Sequence, residues 1–218
     1  MKYIVNVDPR IRIKDVEAHC HIPVYLSFRG DVTEDSAAKF CEELQDAEDQ
    51  CLKSGQEVLP IVIDSYGGSI YALFSMIDML NSCKVKLATI VEGKAMSAGS
   101  VLFTCGAEGY RFIGPNATVM IHEASSMVFG KNEDIKASSA EVERLNNKLF
   151  TLMARNCGKK DTYFADIVHE KKHADWYLDA DECIKHGLAS HVGLPQYTVD
   201  IKISHKFQMP SELVKTSK

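Results

Sequence analysis

Short apolar runs alternate with helix-patterned stretches from Val24 to Ile121, and this alternation restricts the chain to an α/β domain. Residues 24–28, 58–63, 85–91 and 118–121 read as strands. Val58–Ile63 is apolar almost throughout, the pattern of a strand covered on both faces. Ala37, Phe40, Cys41, Leu44 and Cys51 keep one face of an intervening helix. Thr33 can cap it, Glu34 and Asp35 suit its positive end, and Gly55 can stop it. Ser69 opens a second helix (IYALFSMIDML) that is apolar nearly all round, which predicts cover on most sides. Met96–Cys105 reads as a helix of small residues. A long helix runs from about Asp134 to Cys157, with Ile135, Val142, Leu145, Leu149 and Met153 on one face. Asp179 and Glu182 then make a capping-box start to a last short helix that Gly187 can end.

Three segments within this frame hold the parts of an acyl-transfer site: Gly67-Gly68 (SYGGSI), Ser97 (GKAMSAGS) and His122 (ATVMIHEA). A serine hydroxyl needs an imidazole to remove its proton, and the resulting oxyanion needs preorganised backbone N–H donors that glycine lets approach closely. Each piece has a plainer reading: a tight turn, a helix cap, a core histidine. Their conjunction carries the argument.

GGS after an apolar strand, then AMSAGS, then MIH, in that order and spacing, resembles the proteolytic subunit of the Clp protease, ClpP, over residues 22–192. The resemblance implies a crotonase-like spiral of ββα units with a protruding strand-helix handle. It implies Ser97 as nucleophile, His122 as general base and acid, and the amides of Gly68 and Ala98 as oxyanion hole. It also implies Asp175 (HADWYLDADE) as the acid orienting the imidazole, on a looser local match. Residues 1–21 then form a divergent N-terminal segment and 193–218 a C-terminal tail. Further implications are heptameric rings stacked face to face into a tetradecamer, polypeptide substrates, and feeding by an AAA+ unfoldase. The segment matching Glu123–Gly130 and the long helix would supply the stacking contact. No cofactor is expected, and ATP use falls to the partner because the chain has no G-x-x-x-x-G-K-[ST] loop.

The chain departs from the family pattern in places. Tyr66 stands where the family has proline, Glu123-Ala124 replace Gln-Pro after the histidine, and the segment before Ile22 diverges. The last of these puts docking of the usual ATPase in question. Alternative readings are a ClpP-like processing peptidase with a narrow substrate and a non-catalytic ring subunit. An α/β-hydrolase would need G-x-S-x-G and the order Ser, Asp, His, whereas Ala95 precedes Ser97 here. A crotonase-type acyl-CoA enzyme would not need the triad, and a Ser–Lys dyad would use Lys94.

His169-Glu170-Lys171-Lys172-His173 reads literally as the zinc-protease signature H-E-x-x-H. Two lysines make a cationic face and no third ligand is evident nearby, so the match reads as coincidence and no metal is expected. His19-Cys20-His21 reads as local surface.

Composition bounds the rest. With 218 residues, 45% of them apolar, one core and one domain are expected. A net charge of −5 with no basic stripe argues against nucleic acid. No stretch reads as a signal peptide or a membrane span. The 7 cysteines are odd in number and scattered, which suits a cytoplasmic or equivalent reducing compartment.

Overall fold

A computed structural model describes residues 2–7, 22–124 and 129–201. Two compact units are present, one of residues 23–195 and one of the two terminal segments. In the terminal unit β1 (Lys2–Val7) pairs in parallel with β9 (Gln196–Ile201), with Lys2 opposite Gln196. The two segments read from the sequence as separate ends therefore pair with each other.

The larger unit is built on one sheet. Its strands are β2 (Leu26–Val32), β3 (Val58–Gly68), β4 (Lys86–Met96), β5 (Arg111–Ile113) and β8 (His191–Val192), adjacent in that order and all parallel. Parallel neighbours require crossovers. These are α1 (Glu34–Ser54), α2 (Ile70–Ser82) and α3 (Ala98–Thr104), so strand, helix and next strand succeed one another in chain order. This is the mixed α/β architecture of a ClpP-type fold.

Local chemistry explains the helix bounds. Thr33 caps α1 in a reciprocal capping box with Ser36, and Gly55 ends it in the left-handed region at φ 74°. The stripe Ala37, Phe40, Leu44, Ala47 and Cys51 is buried as its spacing requires. Burial of Phe40 and Leu44 contributes about 1.5–3 kcal/mol each. In α2, Ala72, Leu73, Met76, Ile77 and Leu80 are buried but Tyr71 is exposed, so cover is less complete than the composition suggested. Every residue of α3 is buried, from the small Ala98, Gly99 and Ser100 to the large Leu102 and Phe103, where it packs against β3, β4 and α4 (Asn132–Asn156).

β4 is the pivot. Its first half, Thr89–Val91, pairs with β5, while its second half, Lys94–Met96, pairs with β6 (Thr118–Ile121). β6 in turn pairs antiparallel with β7 (Trp176–Leu178). Buried residues of α4 begin at Leu145. Ile135, placed by periodicity on the buried face, is exposed, because the first turns of this helix extend beyond the domain's own core. α5 (Tyr163–Glu170) and α6 (Ala180–His186) close the domain, and α6 has the expected Asp179/Glu182 capping box and the left-handed Gly187. Among the described residues, no helix is long and apolar enough to cross a membrane.

Candidate active site

Ser97 stands at the strand–helix junction between β4 and α3 with φ 53° and ψ −122°, outside the regions ordinary for a residue with a Cβ. Its side chain makes no cap hydrogen bond. The helix-cap reading of this serine is thereby replaced. The backbone N–H of Ser97 instead donates to the Met120 carbonyl at 2.9 Å, extending the β4–β6 ladder by one bond. That bond holds the end of β6 against the junction, and His122 follows one residue after β6. Its Nε2 lies 2.8 Å from Ser97 Oγ.

Gly67 and Gly68 end β3 beside this junction, with φ 99° and φ 142°. A Cβ on Gly67 would stand 2.7 Å from both the Met96 carbonyl oxygen and Ser97 Cβ, and one on Gly68 would collide with the Val32 carbonyl. The pair is thus a site of close backbone approach within a strand, not merely a tight turn. Gly67 N–H donates to the buried Ser65 hydroxyl at 3.0 Å. Ala98 is the first residue of α3, so its N–H belongs to the first turn, where amides have no intrahelical acceptor. Gly68, Ser69, Ile70, Tyr71, Ser97 and His122 line an open cleft of about 470 Å³ together with Val142 and Leu145 of α4.

Asp175 reaches the same place through β7. Ile121 pairs with Trp176 in the antiparallel ladder, so the next residue outward on each strand is His122 and Asp175. Asp175 Oδ1 lies 3.3 Å from His122 Nδ1, with its side chain 48% exposed. A carboxylate there favours the tautomer with the proton on Nδ1, leaving Nε2 to accept from the Ser97 hydroxyl. Sequence reading had no strand at 176–178. Its only signal was the short β-prone run Trp-Tyr-Leu, too brief to stand on its own.

The departures from the family pattern have clear structural outcomes. Tyr66 is exposed, with the Lys94 ammonium 4.2 Å from its ring centroid. Lys94 also donates to Asp64 at 2.7 Å, a bond that holds the lysine above its ordinary pKa and makes it a poor base for a Ser–Lys dyad. Glu123 turns away from the Ser97 hydroxyl and meets His173 Nδ1 at 2.7 Å.

The zinc-signature segment is not one continuous helix face. α5 ends at Glu170, and Lys172 and His173 both take positive φ, at 59° and 61°. Sequence reading found no third ligand, and this is corrected: the fold brings Glu123 to His169 and His173, with one donor atom of each within 4.8 Å of the others. Fifty residues separate Glu123 from His173, so no local pattern could have revealed it.

Other nucleophiles are subdued. Six described cysteines are free, and burial pushes Cys105 and Cys183 up to about 12 and Cys51 and Cys157 up to about 11. Their thiols stay protonated at neutral pH. Arg111 was missed by sequence reading. It is buried at the start of β5, opposite Thr89 of β4, and donates to the carbonyls of Gly106, Asn156 and Gly187.

A parallel α/β sheet with a serine–histidine hydrogen bond at the carboxyl ends of two of its strands is an arrangement of the serine-hydrolase type. The family model described as Clp protease matches residues 21–196, and the chain belongs to the Clp protease family. Members of this family are serine peptidases that assemble into oligomeric rings.

Proposed function

We propose that the chain is a serine endopeptidase subunit in which Ser97, His122 and Asp175 act as a catalytic triad. One observation carries the assignment: the 2.8 Å approach of Ser97 Oγ to His122 Nε2 on an imidazole whose other nitrogen faces a carboxylate. In this reading Nε2 takes the hydroxyl proton as Oγ attacks the scissile carbonyl. The amides of Gly68 and Ala98 receive the oxyanion. His122 then returns the proton to the leaving amine, and water repeats the sequence on the acyl-enzyme. Asp175 holds the tautomer and stabilises the imidazolium, and the cleft between Gly68–Tyr71 and α4 takes an extended peptide. The self-compartmentalising form follows from the same logic. Heptameric rings stacked into a tetradecamer would admit only threaded chains delivered by an AAA+ unfoldase.

A serine-directed phosphonate tests the assignment. It should label wild-type protein at Ser97, and Ser97→Ala should lose both the label and peptide hydrolysis, by roughly 10⁶-fold in kcat where the background permits. Near-wild-type turnover in Ser97→Ala would remove the nucleophile assignment.

A further inference from the structure

We infer that Glu123, His169 and His173 form a binding site for a divalent metal ion of the zinc class, and that the ion tightens the catalytic triad. Two imidazoles and one carboxylate are a donor set suited to zinc and poorly suited to calcium or magnesium. A tetrahedral ion with bonds of about 2 Å needs ligand atoms about 3.3 Å apart. His173 Nδ1 and Glu123 Oε2 lie 2.7 Å apart, and all three donor atoms fall within 4.8 Å, so small side-chain rotations suffice. The side chains of Glu123 and His173 are 30% and 49% exposed, which leaves solvent to supply a fourth ligand.

The backbone is shaped to bring these donors together. α5 closes with Lys172 N–H donating to the His169 carbonyl and His173 N–H donating to that of Val168, a Schellman-type end. Glycine is usual at such a left-handed position, yet two successive residues with side chains occupy this region here. The fold thereby turns His173 back until its ring centroid is 4.5 Å from that of His169.

Glu123 follows His122 directly, and His173 precedes Asp175 by two residues. An ion held by Glu123, His169 and His173 therefore ties the segment carrying the base to the segment carrying its orienting acid. The present Asp175–His122 distance of 3.3 Å exceeds the roughly 2.7–2.9 Å of a charge-assisted bond, so there is slack to remove. The three ligands act as positioning residues and do not touch substrate. This coupling rests on the peptidase reading given above, whereas binding of the ion does not.

The test uses the full chain in two arms. Cobalt titration should produce visible d–d absorption saturating at one equivalent per chain and displaced by zinc. His169→Ala and His173→Ala should each weaken binding at least tenfold, with melting temperature reporting that the variants fold. Zinc should raise kcat for a peptide, and the rate of phosphonate labelling at Ser97, several-fold over chelator-treated protein without changing KM. That response should vanish in both variants. Absent saturable cobalt absorption, or absorption unchanged by both substitutions, overturns the site. Normal absorption with no zinc response in kcat overturns the coupling. Should Ser97 fail to label with or without zinc, the peptidase reading fails, and the cobalt arm alone decides the site.

Discussion

Ser97 carries its hydroxyl out of a backbone turned to φ 53°, and neighbouring glycine makes room for that turn. Such a conformation costs on the order of 1–3 kcal/mol and persists only where the surroundings impose it. Here the Met120 carbonyl bond and the apposed Gly67 do so. Gly67→Ala should therefore destabilise the protein by roughly 1–3 kcal/mol and slow phosphonate labelling, since its Cβ must displace the Met96–Ala98 backbone. A variant with wild-type urea midpoint and labelling rate would show that the junction yields freely. Asp175→Asn tests the third triad member. It leaves shape intact but presents the wrong tautomer, and kcat should fall by about 10⁴. Activity within a few-fold of wild type would assign the orienting role to another carboxylate.

At the level of elements, the β6–β7 ladder and its supports decide whether the triad closes. Trp176 of β7 packs edge-on against His186 at 4.7 Å between ring centroids, and His186 Nδ1 meets the Tyr163 hydroxyl at 2.8 Å. This joins α5, α6 and β7. Burial, aided by nearby lysines, pulls the His186 pKa below the ordinary imidazole value, so the folded state binds fewer protons there than the unfolded state. Its contribution to stability is complete above about pH 6.5 and is lost as pH falls toward the folded value. Melting temperature should drop on acidification through that window, and His186→Gln should flatten the drop. An unchanged slope in that variant would shift the acid sensitivity elsewhere. Arg111 plays the equivalent part at the C-terminal ends of α3, α4 and α6. Arg111→Met removes the donor from one buried and two half-buried carbonyls and should lower stability by about 3 kcal/mol, read from the urea midpoint.

For the whole molecule, the conspicuous feature is apolar surface on the part of the chain that leads into α4. Phe129 is 88% exposed in the single subunit, and Ile135 on the first turn of α4 is exposed as well. Residues 125–128 of the expected stacking segment, with 1, 8–21 and 202–218, lie outside the described residues. On the double-ring reading Phe129 meets the opposing ring, and Phe129→Asp buries an unpaired charge there. Sedimentation should then show particles of half the wild-type size, whereas an intact double ring would mean that this side chain faces solvent. Docking of an unfoldase belongs to the same scale. A folded fluorescent substrate should be degraded only with a cognate AAA+ partner and ATP, and ATP-independent digestion would contradict a closed chamber.

Periodicity and turn chemistry made much of the frame legible from sequence. Thr33, Gly55, Ser69, Asp179 and Gly187 act locally, through bonds or torsions within a few residues, and each does in the structure what its type predicts. Ser97, His122 and the glycine pair were readable because each stands at the end of a strand begun by an apolar run, and parallel pairing puts strand ends side by side. The very short strands β5, β7 and β8 carried too few residues to signal themselves. Asp175 owed its place near His122 to the β6–β7 register, which no local pattern encodes. Tertiary structure alone decided that Glu123 faces His173, that Arg111 binds the distant carbonyls of Asn156 and Gly187, and that the first turns of α4 leave the core. Sequence determined what depends on neighbours along the chain, and the fold decided what depends on atoms brought together from distant parts of it.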